Sequence, residues 1–440
     1  MEHIHDVIII GAGAAGIGCA HRLSQHNIDF QILEARSRSG GRVYSIVEPG
    51  LTTPIELGAE FVHGAPAKIM ALMQNLKFPF YDVKDEHLFL QNDKLISAKN
   101  FGHQMEIVMS HLHPERKHDR PINDFIKAQH MDNATKDNFI SYIEGFQAAD
   151  TLLLGEQGLA DLNQQDDSLN GSKMFRPLLR YDSLLQKILD RYVKKDTLQL
   201  NTELKRIHWE KNNVELICYQ GPSQIEKIYR CKKLVLTVPL GVLHSSALQW
   251  NRIPEDLALG LDSVYMGHVQ RIVFRFRYRF WENLSDQPTA FFHCGPDSYF
   301  PTWWSLQPLR TPHLVAWQGG PKAIEMSTWS EEERLQTALK TLSTMMGLST
   351  EFLNSELESW HTHNWSKDPF TRGAYSYIAV GGVEKARRLQ KGFDGTIFLA
   401  GEHTMMGSGR GTVHGAFDSG WNTADQVMKK TSRTVAELDL

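Results

Sequence analysis

Gly11, Gly13 and Gly16 stand in the pattern G-x-G-x-x-G inside "DVIIIGAGAAGIGCAHRL", residues 6–23. That spacing suits a pyrophosphate. The first glycine allows a tight turn, the second lets the backbone approach the anion, and the third lets helix and strand pack closely. Glu34 follows 18 residues after Gly16. An acid there accepts hydrogen bonds from a ribose diol and disfavours a 2′-phosphate. Next, "EARSRSGGRVYS" sets Arg36, Arg38 and Arg42 around Gly40 and Gly41. This basic loop, with Arg42 foremost, is placed to complete neutralisation of the phosphates. The glycine pattern fits NAD and FAD equally; the second basic clamp is a feature that nicotinamide enzymes rarely need.

Such a cradle needs a strand, a turn and a helix. "HDVIII" is a β-branched run, "AAGIGCAHRLSQH" has helical spacing, and "DFQILEA" reads as a second buried strand. Together they form a βαβ unit. From about 65 to 195 the pattern predicts mostly helix. Residues 197–238 and 268–320 read as β-rich, and "SEEERLQTALKTLSTMMG" (330–347) as a helix with a Ser cap and acidic first turn. "TIFLAGEHT" reads as a late buried strand, and "GTVHGAFDSGWNTADQVMKK" as a closing helix. β-like pieces at both ends and in the middle imply one discontinuous nucleotide-binding domain with insertions, in an α/β chain.

With 41% hydrophobic and 22% charged residues, the 440-residue chain has ordinary globular composition. A net charge of −4 argues against nucleic acid as a partner. Residues 81–170 carry 16 Asp/Glu against 8 Lys/Arg, a local −8 that is either a solvated helical face or a steering field for a cation. Four cysteines without a C-x-x-C pair make no disulfide framework and fit a reducing, cytoplasmic setting. The stretch 7–20 lacks a basic n-region, no run of 18 apolar residues exists, and the C-terminal "KKTSRTVAELDL" is polar, so neither a signal peptide nor a membrane segment is expected.

Seven stretches between residues 6 and 420, in order, resemble the flavin-containing amine oxidases: the two already quoted, then "IELGAEFVHG", "VPLGVL", "NWSKDPFTRGAYSY", "IFLAGEHT" and "GTVHGAFDSG". That family spans polyamine oxidases, monoamine oxidases and flavin-dependent histone demethylases. The resemblance implies a Rossmann-type FAD-binding domain (residues 1–75, 196–262 and 388–440) and an inserted substrate-binding domain of mixed sheet and helices (76–195 and 263–387). Gly11, Gly13, Ala15 and Gly16 would hold the pyrophosphate. Glu34 and Ala35 would lie at the adenosine ribose, and Arg36, Gly41 and Arg42 on the adenosine and phosphate side. Leu204 would contact adenine, and Gly58, Ala59, Glu60 and Phe61 would line the isoalloxazine. Trp365, Gly401 and Glu402 complete the cofactor set. Thr412 and Val413 would offer backbone N–H groups to the flavin's N1–O2 edge, where the helix dipole favours negative charge. Attachment would be noncovalent, because Ala374 stands where a covalent linkage needs cysteine.

The reaction implied is hydride transfer from the carbon beside an amine nitrogen to flavin N5, imine hydrolysis, and reoxidation by O2 to H2O2. The substrate would be a small, cationic, polyamine-like amine. Tyr375 matches one wall of the family's aromatic cage. The second wall falls on Thr412, so half the cage is missing unless Trp304, Trp365 or Tyr377 closes it. His63 matches a position near the substrate amine, with a structural histidine as the alternative. Where the family carries a lysine that holds water against N5, this chain has Arg271. It either begins a basic solvent face with Arg275, Arg277 and Arg279 or points at the flavin and positions water; the second is the expectation. His361, His363, His111, His113 and His118 lack ligand spacing, so no metal is expected. Two alternatives remain: an L-amino-acid oxidase with an arginine for the substrate carboxylate, and a non-catalytic flavin-binding scaffold.

Overall fold

The computed structural model describes residues 3–84, 86–91, 94–97, 101–163, 173–283 and 290–438. The first strand, Ile4–Ile10, is buried from Val7 onward and runs inside a parallel layer. Phe30–Leu33 flanks it on one side, with Leu198–Gln199 beyond. On the other side lie the second half of Ile225–Leu236 and then Ile397–Leu399. Parallel strands covered on both faces need continuous apolar runs; "VIII", "LVL" and "IFL" supply them. The first half of Ile225–Leu236 leaves this layer and pairs antiparallel with Asn213–Gln220, which pairs with Thr202–Glu210. The glycine turn leads into helix Ala14–Ser24, which packs against the closing helix Val413–Leu438.

One buried cluster joins Val7, Ile9 and Ala15 to Tyr181, Leu184, Leu185 and Ile188. Helix Tyr181–Tyr192 therefore packs into the nucleotide-binding core, although the sequence expectation put residues up to 195 in the other domain. Its apolar stripe repeats at helical spacing, which predicts a helix but not its partner.

A second sheet orders Leu357–Thr362, Val269–Phe276, His313–Gly319, Thr302–Ser305, Phe291–His293, His87–Gln91 and Lys94–Ser97. The last two strands, with Phe80–Asp82 and Met174–Pro177, interrupt the region predicted to be mostly helical. "HLFLQ" pairs with Phe291–His293, and strand pairing outweighs its weak local preference. Helix Glu331–Met346 begins on the predicted Ser330, which forms a capping box with Glu333. Its Leu335, Leu339 and Leu342 pack on Ile272, Phe274 and Phe276. Alternation turns Arg271 and Val273 to the opposite face, where Val273 packs with Trp304 and Val315. Among the described residues no helix is long and apolar enough to cross a membrane.

Burial sets an acid response. It pushes His21, His63, His313, His403 and His414 down to about 4 each. Unfolded histidine titrates near about 6.5. Between those values the unfolded chain binds protons that the native state refuses, so stability falls as pH drops from about 6.5 towards 4. Glu56 acts oppositely. Burial raises it to about 8, and the stability it contributes is lost as pH rises from its unfolded value through 8. Urea unfolding at pH 7, 6 and 5 should show a falling midpoint with net proton uptake; a flat midpoint would contradict this.

Candidate active site

A cavity of about 680 Å³ begins at the glycine turn, runs between the two sheets and reaches Tyr375 and His63. Of the site residues expected from sequence, Gly16, Arg38 and Tyr377 do not line it. Gly16 instead holds helix against turn: a Cβ there would lie 1.9 Å from Gly11 O. Gly11 has φ +105°, outside the range of ordinary residues. A Cβ on Gly13 would meet nothing within 4 Å, so the backbone there opens onto the cavity. Gly13 is the helix N-cap and offers no capping side chain. The first N–H groups of Ala14–Ser24 are thus available to an anion.

The basic loop binds the glycine turn through its backbone, Gly40 N–H donating to Ala12 O at 2.8 Å. Glu34 accepts from Ala12 N at 2.7 Å and Arg36 N at 2.8 Å. Burial raises its pKa and those two N–H groups oppose the rise. The loop's guanidiniums are less free than expected. Arg36 forms a bidentate pair with Asp368 (Nη1–Oδ2 2.9 Å, Nη2–Oδ1 2.5 Å) and reaches Thr371. Arg38 lies 4.0 Å over Tyr44 and outside the cavity lining. Arg42 pairs with Glu402 at 2.9 Å and donates to Ala374 O. Glu402, also held by Ser376, is kept down at about 2: burial opposes this, and the Arg42 charge overcomes it. Phosphate neutralisation would then rest on the helix N-terminus more than on unpaired arginines.

The residues present fit FAD. The open backbone at Gly13, the uncapped helix start and Glu34 suit an adenosine diphosphate. Leu204 and Ala35 line the wall nearby. Further along, Gly58 runs so close to the basic loop that a Cβ would lie 1.9 Å from Arg42 O and 3.2 Å from the Trp365 ring. Trp365 Nε1 donates to Leu57 O at 2.8 Å. Gly401 and Glu402 border the same space, and so do Thr412 and Val413 at the start of the closing helix.

Glu60 is the buried centre of an ion triad. Arg176 Nε lies 2.7 Å from one oxygen, Arg271 Nη2 donates to the other, and Trp304 Nε1 donates at 3.2 Å. Burial alone would raise the Glu60 pKa; the two guanidiniums hold it below the usual value. Arg271 thus does not open a solvent face. It lines the cavity, but Nη1 is bound to Gly58 O at 2.9 Å and Nη2 to Glu60, leaving Nε without a protein partner. Its expected role of holding water falls to Nε–H and to the second N–H of each terminal nitrogen.

Tyr375 donates its hydroxyl to Phe146 O at 2.6 Å. Trp317 Nε1 donates to Gly145 O at 2.8 Å. Both hold Tyr142–Phe146, a single π-helical turn; such bulges recur at functional sites. Tyr142 and Phe146 stack at 5.4 Å, and His63 meets Phe146 edge-on at 5.7 Å. Thr412 is spent on the backbone: its hydroxyl donates to Gly409 O and accepts from Gly415 N. Of the residues expected to replace the missing cage wall, Trp304 and Trp365 line the cavity, while Tyr377 packs with the helices around Phe125 and Leu159. Sequence reasoning missed Arg176 and the π-turn. No local signal marked Arg176; its role depends on Val62–His63 pairing with Phe175–Met174.

His361 pairs with Glu48 and His363 with Asp368. His3, His5 and Asp29 lie close enough to share an ion, and none of the three lines the cavity.

The model of the "Flavin containing amine oxidoreductase" family matches residues 14–428. Polyamine oxidase 3 of Oryza sativa subsp. japonica is 25% identical over 100% of this chain and 92% of its own length. Lysine-specific histone demethylase 2 of Homo sapiens is also 25% identical, over 97% of this chain but 53% of its own length. Putrescine oxidase bound to putrescine superimposes with TM-score 0.80 at 17% identity, covering 98% of this chain and 100% of that one. Cyclohexylamine oxidase from Brevibacterium oxydans gives 0.81 at 14%, with the same coverage.

Proposed function

The chain belongs to the flavin-containing amine oxidoreductase family, and on that premise we propose that it oxidises a small amine at the carbon bonded to nitrogen, with noncovalent FAD as cofactor and O2 as final acceptor, yielding H2O2. The observation that carries this reading is one cavity joining the glycine turn to Tyr375 and His63. Bound FAD supplies hydride acceptance and the return of electrons to O2.

The chain supplies position and dryness. An amine loses hydride readily only as the free base, and walls such as Phe61, Phe146 and Trp304 disfavour the ammonium by excluding water. His63, held at about 4 by burial, is too weak a base to carry the substrate proton at neutral pH. It stays neutral and orients the nitrogen through a hydrogen bond. Tyr375 forms a wall and fixes the π-turn opposite. The amino-acid oxidase alternative needs an arginine free for a carboxylate, and the engagement of Arg271 by Glu60 and Gly58 removes that residue from the role. Four free cysteines keep the reducing, cytoplasmic setting as part of the proposal.

Holoenzyme should consume O2 and release equal H2O2 with an amine; no turnover across primary, secondary and tertiary amines would overturn the reading. Tyr375→Phe keeps the ring and loses one hydrogen bond, worth about 1 kcal/mol. It should raise KM roughly fivefold and change kcat by less than about threefold, with flavin content unchanged. Equal losses in both parameters would contradict a positioning role.

A further inference from the structure

The cavity's charges discriminate among amines. Four carboxylates line it among the described residues, and each is already engaged. Glu34 accepts two backbone N–H groups. Glu60 is held by Arg176 and Arg271. Glu203 takes Lys205 Nζ at 2.6 Å. Glu402 takes Arg42 and Ser376. The other charged lining residues are cations: Lys173 and Arg410 stand there besides Arg36, Arg42 and Arg271. Arg410 is buried, and no carboxylate of the described residues forms a salt bridge with it. Around Tyr375 and His63 the walls include the rings of Phe61, Phe146 and Trp304, and Glu402, whose charge reaches Tyr375, is paired with Arg42.

A diamine or polyamine keeps at least one ammonium after its reacting nitrogen has become neutral. That second charge would meet an apolar wall with no unengaged carboxylate among the described residues to receive it and with buried guanidiniums nearby, which is unfavourable. Ring faces attract a cation only modestly. A monoamine brings no second charge, and an apolar ring on it can stack on Phe61, Trp304 and the π-turn. We propose, resting on the amine-oxidase reading above, that the substrate is a monoamine with an aromatic or alicyclic body. It departs from the polyamine-like amine that the sequence resemblance implies. Phe146, on the π-turn, is the specificity-determining side chain: it lines the cavity beside His63 and is 53% exposed.

The test compares 2-phenylethylamine and cyclohexylamine with putrescine, spermidine and spermine on the holoenzyme. Steady-state rates are read beside the thermal shift each amine produces under anaerobic conditions. The expected kcat/KM favours the ring-bearing monoamines by about 100-fold or more, as an unpaired buried ammonium demands, and they alone raise the melting temperature. Phe146→Glu, at an exposed site, supplies the missing carboxylate and should narrow that ratio at least about tenfold, a change of about 1.4 kcal/mol. Equal or better turnover of putrescine or spermidine by the unaltered enzyme overturns the inference and leaves the amine-oxidase reading standing. Failure of that reading looks different: no amine is turned over, and the inference falls with it.

Discussion

Gly16→Ala should yield a protein that no longer retains FAD. The added Cβ would lie 1.9 Å from Gly11 O, 3.0 Å from Gly11 C and 3.2 Å from Thr237 Oγ1. Neither backbone atom belongs to a flexible side chain, so helix and turn must separate. Overpacking of this kind costs about 1–3 kcal/mol, occasionally more. Here it also moves the N–H groups available to the pyrophosphate. Flavin affinity should fall at least about 100-fold, equivalent to about 2.7 kcal/mol, and the purified protein should emerge colourless after desalting. Gly295→Ala is the control, because a Cβ there meets nothing within 4 Å and the residue is exposed. It should keep its flavin. A yellow Gly16→Ala protein with unchanged affinity would refute the close-packing argument.

Glu60→Ala should cost about 3–5 kcal/mol of stability, because it leaves two buried guanidiniums without their counter-ion. Arg176 and Arg271 are each 4% exposed at the side chain, and Glu60 1%. The loss depends on pH with a definite sign. The guanidiniums hold Glu60 below its unfolded pKa, so its contribution is present above that value and disappears as pH falls through the lower folded one. The gap between wild type and Glu60→Ala should therefore be widest near neutrality and close in acid. Removing the exposed Lys232–Asp6 pair should change little, since exposed pairs are screened. Urea unfolding of the three proteins decides the matter, and equal midpoints for wild type and Glu60→Ala would remove the triad from the account.

The nucleotide end of the site was legible because its logic is local. A strand, three glycines, a helix and an acid must be neighbours in the chain to be neighbours in space, and Glu34 reaches back only to Ala12. The isoalloxazine and substrate ends draw on residues hundreds of positions apart. They were approached through the order of quoted stretches, which located Gly58–Phe61, Tyr375 and Thr412 without saying what their side chains hold. Arg36 and Arg42 looked like free phosphate ligands because Asp368 and Glu402 lie over 300 residues away. Arg271 lines the cavity, as expected, but its engagement by Glu60, 211 residues away, left no local trace. Alternation separated the two faces of its strand correctly: a helix covers one, and at Arg271 the cavity borders the other. Helix Tyr181–Tyr192 was recognised as a helix and placed in the wrong unit, since periodicity shows a buried stripe and not what buries it.

Anaerobic titration of the purified holoenzyme with an amine, followed through the visible flavin band, decides whether the bound flavin takes electrons from an amine. A yellow protein is expected, whose colour bleaches as amine is added and returns, with H2O2, when O2 is admitted. A protein that refuses FAD, or one whose bound flavin keeps its colour under every amine, would contradict the amine-oxidase reading.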